Sequence, residues 1–427
     1  MKLSVVSILI FASFSSYAQR APLLTNLGNA ITLSENSLII VKGDFENTKG
    51  SIDFTNTSGS PVLGRLEIKG SLINKDNVSH VFEALAPGVV ALSGGFQDIS
   101  GWPVRFPSLV LGGTTDKTLK TNIEIGGVLF LGSKQLKAEN FVIHITNPNS
   151  EAIIRGDEST GAGSGFISTT TGRNGTGVLL RDVGSSEKPY LFPLGSSENG
   201  TVLYRPVHFT PSSSESQIFS ASLIDHDPSN DGYDKSKKRY DVKTVSNKYY
   251  YLLGQKVGTG KFDVTFYQNS KVDNNATQLV NWTNYLQWEK AAPSNPGEQA
   301  GEVDDLNGGV LNTSIKFSSI EPFNQRAFTF SSEAGGDNPF TFFNAFSPDG
   351  DNRNDTWTIK NIELYQDNKL TIYNRWGDEV YSVKGYTNEK AWDGGNLQPG
   401  TYYYVLTATI KDKPRVFKGF ITMVKKN

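Results

Sequence analysis

The chain has 427 residues, enough for roughly two to four domains. Charged residues make up 20% of it and the net charge is −2, so it carries no electrostatic footprint for nucleic acid or an anionic membrane. It has no cysteine, which excludes disulfides, thiolate metal sites and a cysteine nucleophile, and leaves burial and backbone hydrogen bonding to hold the fold together.

The N-terminus reads as a signal peptide over residues 1–18. Lys2 supplies the positive end, Leu3–Phe14 is apolar apart from serines, and Ser16-Tyr17-Ala18 places small residues where a signal peptidase cuts, before Gln19. The apolar run is shorter than the ~20 residues that span a bilayer, which argues against an anchor. Forty-two glycines and an aromatic fraction of 11% favour many short strands and tight turns. No stretch repeats apolar residues at helical spacing, so the expected fold class is all-β.

Residues 22–155 are repetitive. Short apolar strands recur at SLIIVKGDF (37–45), GRLEIKGSL (64–72), VVALSGGF (89–96), SLVLGG (108–113), IEIGGVLFLG (123–132) and NFVIHIT (140–146). Several end in Gly or Asn. A strand and a Gly/Asn turn at such a period predict a parallel β-helix-like solenoid, with an antiparallel sandwich as the alternative. FPSLVLGG followed by KTLKTNIEIGGVLFLG is also similar to coils of Bacteroidetes surface proteins.

A Gly/Ser/Thr-rich stretch at 156–177 marks a boundary or exposed loop. Beyond it, strands are expected near 189–194, 201–210, 248–255, 261–268, 279–292 and 314–332, several alternating apolar with polar residues. These place a β-sandwich over 156–332. The FPLG and YRPV pair, the SNKYYYLL strand and IEPFNQRAFTF resemble a sandwich module of the same surface proteins. EAGGDNP (333–339) reads as a linker.

The last ninety residues carry the most specific signal. SPDGDNRND (347–355), YNRWG (373–377), WDG (392–394) and PGTYYY (399–404) follow in fixed order. Over about 338–427 this resembles the gliding-motility-associated C-terminal domain of Bacteroidetes, the type B sorting signal of the type IX secretion system. The resemblance implies an Ig-like β-sandwich, recognition by the type IX secretion machinery, and a PorP/SprF-like outer-membrane partner. Its motif positions here are Asp349, Gly350, Asn354, Asp355, Tyr373, Asn374, Arg375, Trp376, Gly377, Trp392, Asp393, Gly394, Gly400 and Tyr402. Trp357, Trp376 and Trp392 are expected to supply buried area, with Gly377 and Gly394–Gly395 turning the chain. Tyr402 and Tyr404 share one face of a strand, with Tyr403 on the other.

The acidic turn admits two readings. Asp349, Asp351, the Arg353 backbone carbonyl and Asp355 stand at alternate positions, as oxygen ligands of Ca²⁺ do. Position 6 of an EF-hand loop would be Asn354 instead of Gly, and position 12 Lys360 instead of Glu, so an EF-hand is excluded. The preferred reading is a turn held by Asx hydrogen bonds to its own backbone, with no cofactor. A second acidic stretch, with Asp225, His226, Asp227, Asp231 and Asp234, reads as an exposed loop, and only His208 lies near enough to add an imidazole. His80 and His144 read as surface or packing residues.

No G-x-S-x-G, HExxH or GxxxxGK[ST] motif occurs. Asp98, Arg105, Asp116 and Lys117 are the nearest approach to the carboxylate and base strip of a β-helix polysaccharide-active enzyme, but without repeating register. The chain is therefore expected to be no enzyme. It reads as an exported cell-surface adhesion or structural protein, with a docked component of the gliding or secretion apparatus as the alternative. Aromatic pairs such as Tyr249–Tyr251 or Trp282–Trp288, if exposed, are the candidates to meet a surface polysaccharide or protein ligand, although such pairs are more often core.

Overall fold

The computed structural model describes residues 22–424 apart from 79, 84, 172–174, 185–187, 199, 270–272, 274–275, 277, 292–293, 299–303, 306–308, 312, 332–339, 352 and 411–412. The expected leader (1–18) and linker (333–339) lie outside the described residues. Every described element is a strand or a short 3₁₀ turn, so the chain is all-β. No described helix is long and apolar enough to cross a membrane. There are two compact units: Met1–Lys238 with Thr244–Glu333, and Arg239–Lys243 with Ala334–Asn427.

The first unit begins with parallel ladders. Leu24–Leu27, Phe45–Lys49, Leu72–Asn74, Gln97–Gly101, Lys117–Leu119, Gln135–Lys137 and Phe166–Ser168 pair in that order. A second ladder takes Leu38–Val41, Gly64–Ile68, Gly88–Leu92, Ser108–Leu111, Leu129–Phe130 and Ile153–Ile154. A third runs from Val104–Phe106 through Ile123–Ile125 and Val142–Ile145 to Val178–Val183. Successive circuits of the chain thus feed each ladder in turn. Strands this short make few hydrogen bonds alone, and neighbouring circuits supply the rest.

Register stacks like on like. Ile39, Leu66, Val90, Leu109, Leu129 and Ile153 form one column, and Leu24, Phe45, Leu72, Ile99 and Leu119 another. Full burial of each such side chain contributes about 1.5–3 kcal/mol. A polar column of Asn26, Asn47 and Asn74 runs beside them, all three buried. Corners need glycine where circuits touch. A Cβ on Gly94 would lie 1.7 Å from the Lys69 carbonyl oxygen, and Gly113, at φ +76°, would place one 1.9 Å from that of Gly94.

Val178–Val183 is the hinge of the topology. It pairs parallel with Val142–Ile145 on one side and antiparallel with Gln217–Ile224 on the other. The sheet then continues antiparallel through Tyr250–Val257, Arg326–Ser331, Gln278–Trp282 and Trp288–Lys290. A second antiparallel sheet comprises Tyr190–Phe192, Val207–Pro211, Phe262–Gln268, Thr313–Ile320 and Ser294–Glu298. Phe209 and Phe262 of this sheet pack on Phe219 of the first, ring centres 4.7 and 4.8 Å apart. The division expected at 155/156 therefore falls inside one buried core that extends from Leu33 to Phe330. The shared sheet is the reason, since ladder and antiparallel strands bury the same face.

The second unit centres on a five-stranded sheet ordered Ala345–Phe346, Lys413–Met423, Gly400–Ile410, Asn368–Tyr373, Glu379–Lys384. The first pair is parallel and the others antiparallel. Tyr402, Tyr404, Leu406, Ala408 and Ile410 alternate onto the buried face, over Trp357, Leu370, Ile372, Tyr386 and Trp392.

Candidate functional site

The four motif turns of the C-terminal unit come to one end of its sheet. Tyr373, the last residue of its strand, pairs with Tyr403, and Gly400 pairs with Met423, which pairs with Phe346. The turn at 374–378, the start of the Gly400 strand and the acidic turn after Phe346 therefore share that edge. Gly394 joins them, because a Cβ there would sit 2.2 Å from the Met423 sulfur.

Each turn is built by its own side chains. Asn374 Oδ1 accepts the N–H groups of Trp376 (2.9 Å) and Asp378 (3.0 Å), and its Nδ2 donates to Asp378 Oδ2 (2.9 Å). Gly377 completes that turn at φ +89°. Asp393 Oδ1 accepts from Gly395 N at 2.9 Å, and Tyr402 Oη donates to the Gln398 carbonyl at 2.6 Å, bracing the Pro399-Gly400 turn. Trp392 anchors the assembly. Its ring lies 5.2 Å from Phe346 and 5.5 Å from Tyr402, and its carbonyl accepts the Trp357 N–H at 2.7 Å.

Trp376 departs from expectation. It is 75% exposed, at the tip of the hairpin beyond the sheet, with the Arg375 guanidinium 4.6 Å from its ring centre. The motif thus pairs one core tryptophan with one displayed tryptophan.

In the acidic turn the carboxylates of Asp349, Asp351 and Asp355 offer oxygens within 4.8 Å of one another. Their hydrogen bonds run to the turn itself: Asp355 Oδ1 accepts from Gly350 N (2.7 Å), Asp351 Oδ1 from Arg353 N (2.8 Å) and Asp349 Oδ1 from Asp351 N (3.4 Å). Asn354 holds φ +56° and its carbonyl accepts from Ser347 N. An oxygen-rich pocket fits Ca²⁺ chemically, but every carboxylate already holds a backbone donor.

The other sequence candidates are dispersed. Asp227 pairs with Lys235, Asp231 accepts from His226 and Tyr250, and Asp234 accepts from Ser236 N, so that loop consumes its own ligands. Lys117 is fully buried, its ammonium donating to the carbonyls of Gly94, Gly95 and Thr115 at 3.0–3.1 Å. Arg105 pairs with Glu124, and Asp116 accepts from Gln135 N. These residues do not assemble on one exposed strip with Asp98. Tyr249 and Tyr251 are core residues, 1% and 0% exposed, so neither is displayed to a ligand. Trp288 is likewise buried, packed edge-on against Trp282. His144 bonds Asp182 at 2.7 Å.

A buried core, four side-chain-locked turns and a long two-stranded hairpin define the second unit as a small all-β domain, to which the short segment Arg239–Lys243 is added. Residues 340–423 match the family model described as CHU_C Type IX secretion signal domain. The chain thus carries a type IX secretion signal, which directs export to the cell surface or beyond and implies engagement with the type IX machinery. No curated protein and no solved structure matches the chain.

Proposed function

We propose that this is a non-catalytic cell-surface protein, adhesive or structural, whose first unit is a β-solenoid merging into a β-sandwich and whose C-terminal domain delivers it. The observation that supports the solenoid is the in-register stacking of aliphatic columns through successive circuits. Stacked repeats of this kind bury a continuous core without disulfides, which suits an extended body outside the cell. The delivery role rests on the secretion-signal match at 340–423 and on the domain having its own core. In this reading a signal peptide takes the chain into the periplasm, and a PorP/SprF-like outer-membrane protein receives the folded domain.

The test is deletion of residues 338–427 in native cells, followed by fractionation and surface proteolysis. The truncated protein accumulates in the periplasm if the reading holds. Its arrival on the surface would refute it.

A further inference from the structure

The five-stranded sheet of the C-terminal domain buries one face, and the opposite face is exposed along its outer strands, with Thr371 buried and Tyr373, Val405 and Thr407 half-buried between them. Phe420, Tyr403 and Tyr373 lie directly opposite one another on three adjacent strands. Residues so paired in antiparallel strands point to the same side with neighbouring Cβ atoms. One row on, Lys418 pairs with Val405, which pairs with Thr371. In the next, Val416, Thr407, Lys369 and Lys384 form a continuous row. Tyr403 and Phe420 are each 49% exposed and Val416 56%, and all three lysines are exposed.

Two features show what this face lacks. Lys369 and Lys384 are direct cross-strand neighbours, a like-charge pairing that costs the sheet stability. No ion pair to Lys369, Lys384 or Lys418 is formed among the described residues. The nearest carboxylates sit at the ends of the face, Glu379 opposite Tyr373 and Asp367 accepting from Thr409. The aromatic row closes one end of the face, and these lysines lie one and two rows further along it, so apolar anchors stand beside a polar, charged rim as they do in protein-binding surfaces.

We propose that this face, with Tyr373, Tyr403 and Phe420 as anchors and Lys369, Lys384 and Lys418 as its charged flank, docks on an acidic surface of an outer-membrane protein of the export machinery. The proposal rests on the reading of this domain as the export signal. The negative charge that these three lysines do not meet within the domain comes from that partner, and the lysines set orientation and encounter rate while the aromatics hold the complex. A protein partner is favoured over a lipid surface because the aromatics stand in one ordered cross-strand row, which a complementary surface reads and a fluid headgroup layer does not.

The experiment uses the full-length chain in native cells. Variants are Lys369→Glu/Lys384→Glu/Lys418→Glu, Tyr403→Ser/Phe420→Ser, the milder Lys369→Gln/Lys384→Gln/Lys418→Gln, and a charge-matched control, Lys42→Glu/Lys49→Glu/Lys120→Glu, on exposed lysines of the first unit. Surface fraction is read by protease shaving, folding by thermal melting of purified protein, and contact by a photo-crosslinker at position 403. The face variants are expected to melt like the parent yet lose at least about tenfold in surface fraction, as loss of a binding hot spot does. The control exports normally, and the crosslink joins one outer-membrane protein and disappears in the lysine-to-glutamate background. Should a reversal variant fail to fold, the glutamine variant carries the test. Normal export of folded face variants, while deletion of 338–427 blocks export, overturns the docking face and leaves the sorting reading intact. Normal export after the deletion overturns both. Lysine-dependent binding of purified protein to anionic phospholipid vesicles, with no protein crosslink, overturns the protein partner in favour of a membrane.

Discussion

Arg205 and Asp273 form a sealed ion pair in the first unit: Arg205 Nε donates to Asp273 Oδ2 at 2.9 Å, and the side chains are 0% and 2% exposed. The guanidinium also donates to the Tyr204 carbonyl (2.7 Å) and to Tyr249 Oη (3.2 Å), and the Asn269 N–H reaches Asp273 Oδ2. The pair is therefore satisfied as a network. Removing one partner leaves the other charge buried, so Arg205→Met is expected to cost about 3–5 kcal/mol in urea denaturation. Arg205→Met/Asp273→Leu recovers part of that loss, because no charge is stranded. Equal losses in single and double variants would show that packing, and not the stranded carboxylate, dominates.

The two motif tryptophans of the secretion-signal domain should separate cleanly. Trp392→Ala removes the ring that Phe346, Tyr381 and Tyr402 surround, and a loss of about 3–5 kcal/mol is expected. That is close to the whole stability of a small domain. Trp376→Ala, at an exposed hairpin tip, should change stability by less than about 0.5 kcal/mol. Thermal melts with limited proteolysis of the domain check both. Destabilisation by Trp376→Ala to the same extent would place its ring in a core.

His208 predicts a pH dependence. Its Nδ1 lies 2.8 Å from Tyr267 Oη, and burial, with the Arg181 guanidinium nearby, pushes its pKa down to about 4. Arg181 is itself fully buried, at the column position after Phe106, Ile125 and Ile145, and donates to the carbonyls of Leu191, Asn149 and Ser150. An unfolded histidine takes up a proton near pH 6.5, so between about 6.5 and 4 the unfolded chain binds more protons than the folded one. This site's contribution is complete above that window, falls as the pH drops through it, and levels off below. Subtracting the stability profile of His208→Gln from that of the parent should isolate the slope. A difference curve flat from pH 7 to 4 would mean that the imidazole is not held neutral.

Calcium should leave the acidic turn unmoved. The carboxylates of Asp349, Asp351 and Asp355 already accept backbone N–H groups within the turn. The melting temperature of the domain is therefore expected to be the same in millimolar calcium and in chelator. A rise with calcium that Asp351→Asn abolishes would make the turn a cation site.

Much of the strand content was legible locally. SLIIV, GRLEI, VVAL and SLVL all become strands, because alternation of apolar residues and the glycines that end each run are local properties. IEIGGVLFLG reads as one strand but divides into Ile123–Ile125 and Leu129–Phe130, in different ladders, because Gly126-Gly127 turns a corner. The order of the four C-terminal motifs sufficed to point to the secretion signal, since their turn chemistry at Asn374, Gly377, Asp393 and Gly394 is written in adjacent residues.

What lay beyond the sequence depends on which distant segments meet. Nothing near residue 156 announces that Val178–Val183 joins a parallel ladder to an antiparallel sheet, so one shared core replaces the expected division. Trp376 and Trp392 look alike in sequence, and only the packing of Phe346 and Tyr402 around one of them decides which is buried. The Lys369–Lys384 pairing and the Phe420–Tyr403–Tyr373 row exist only once strand register is set. Alternation along a strand specifies that two faces differ, whereas the tertiary contacts of the whole sheet decide which face is covered and what the other one displays.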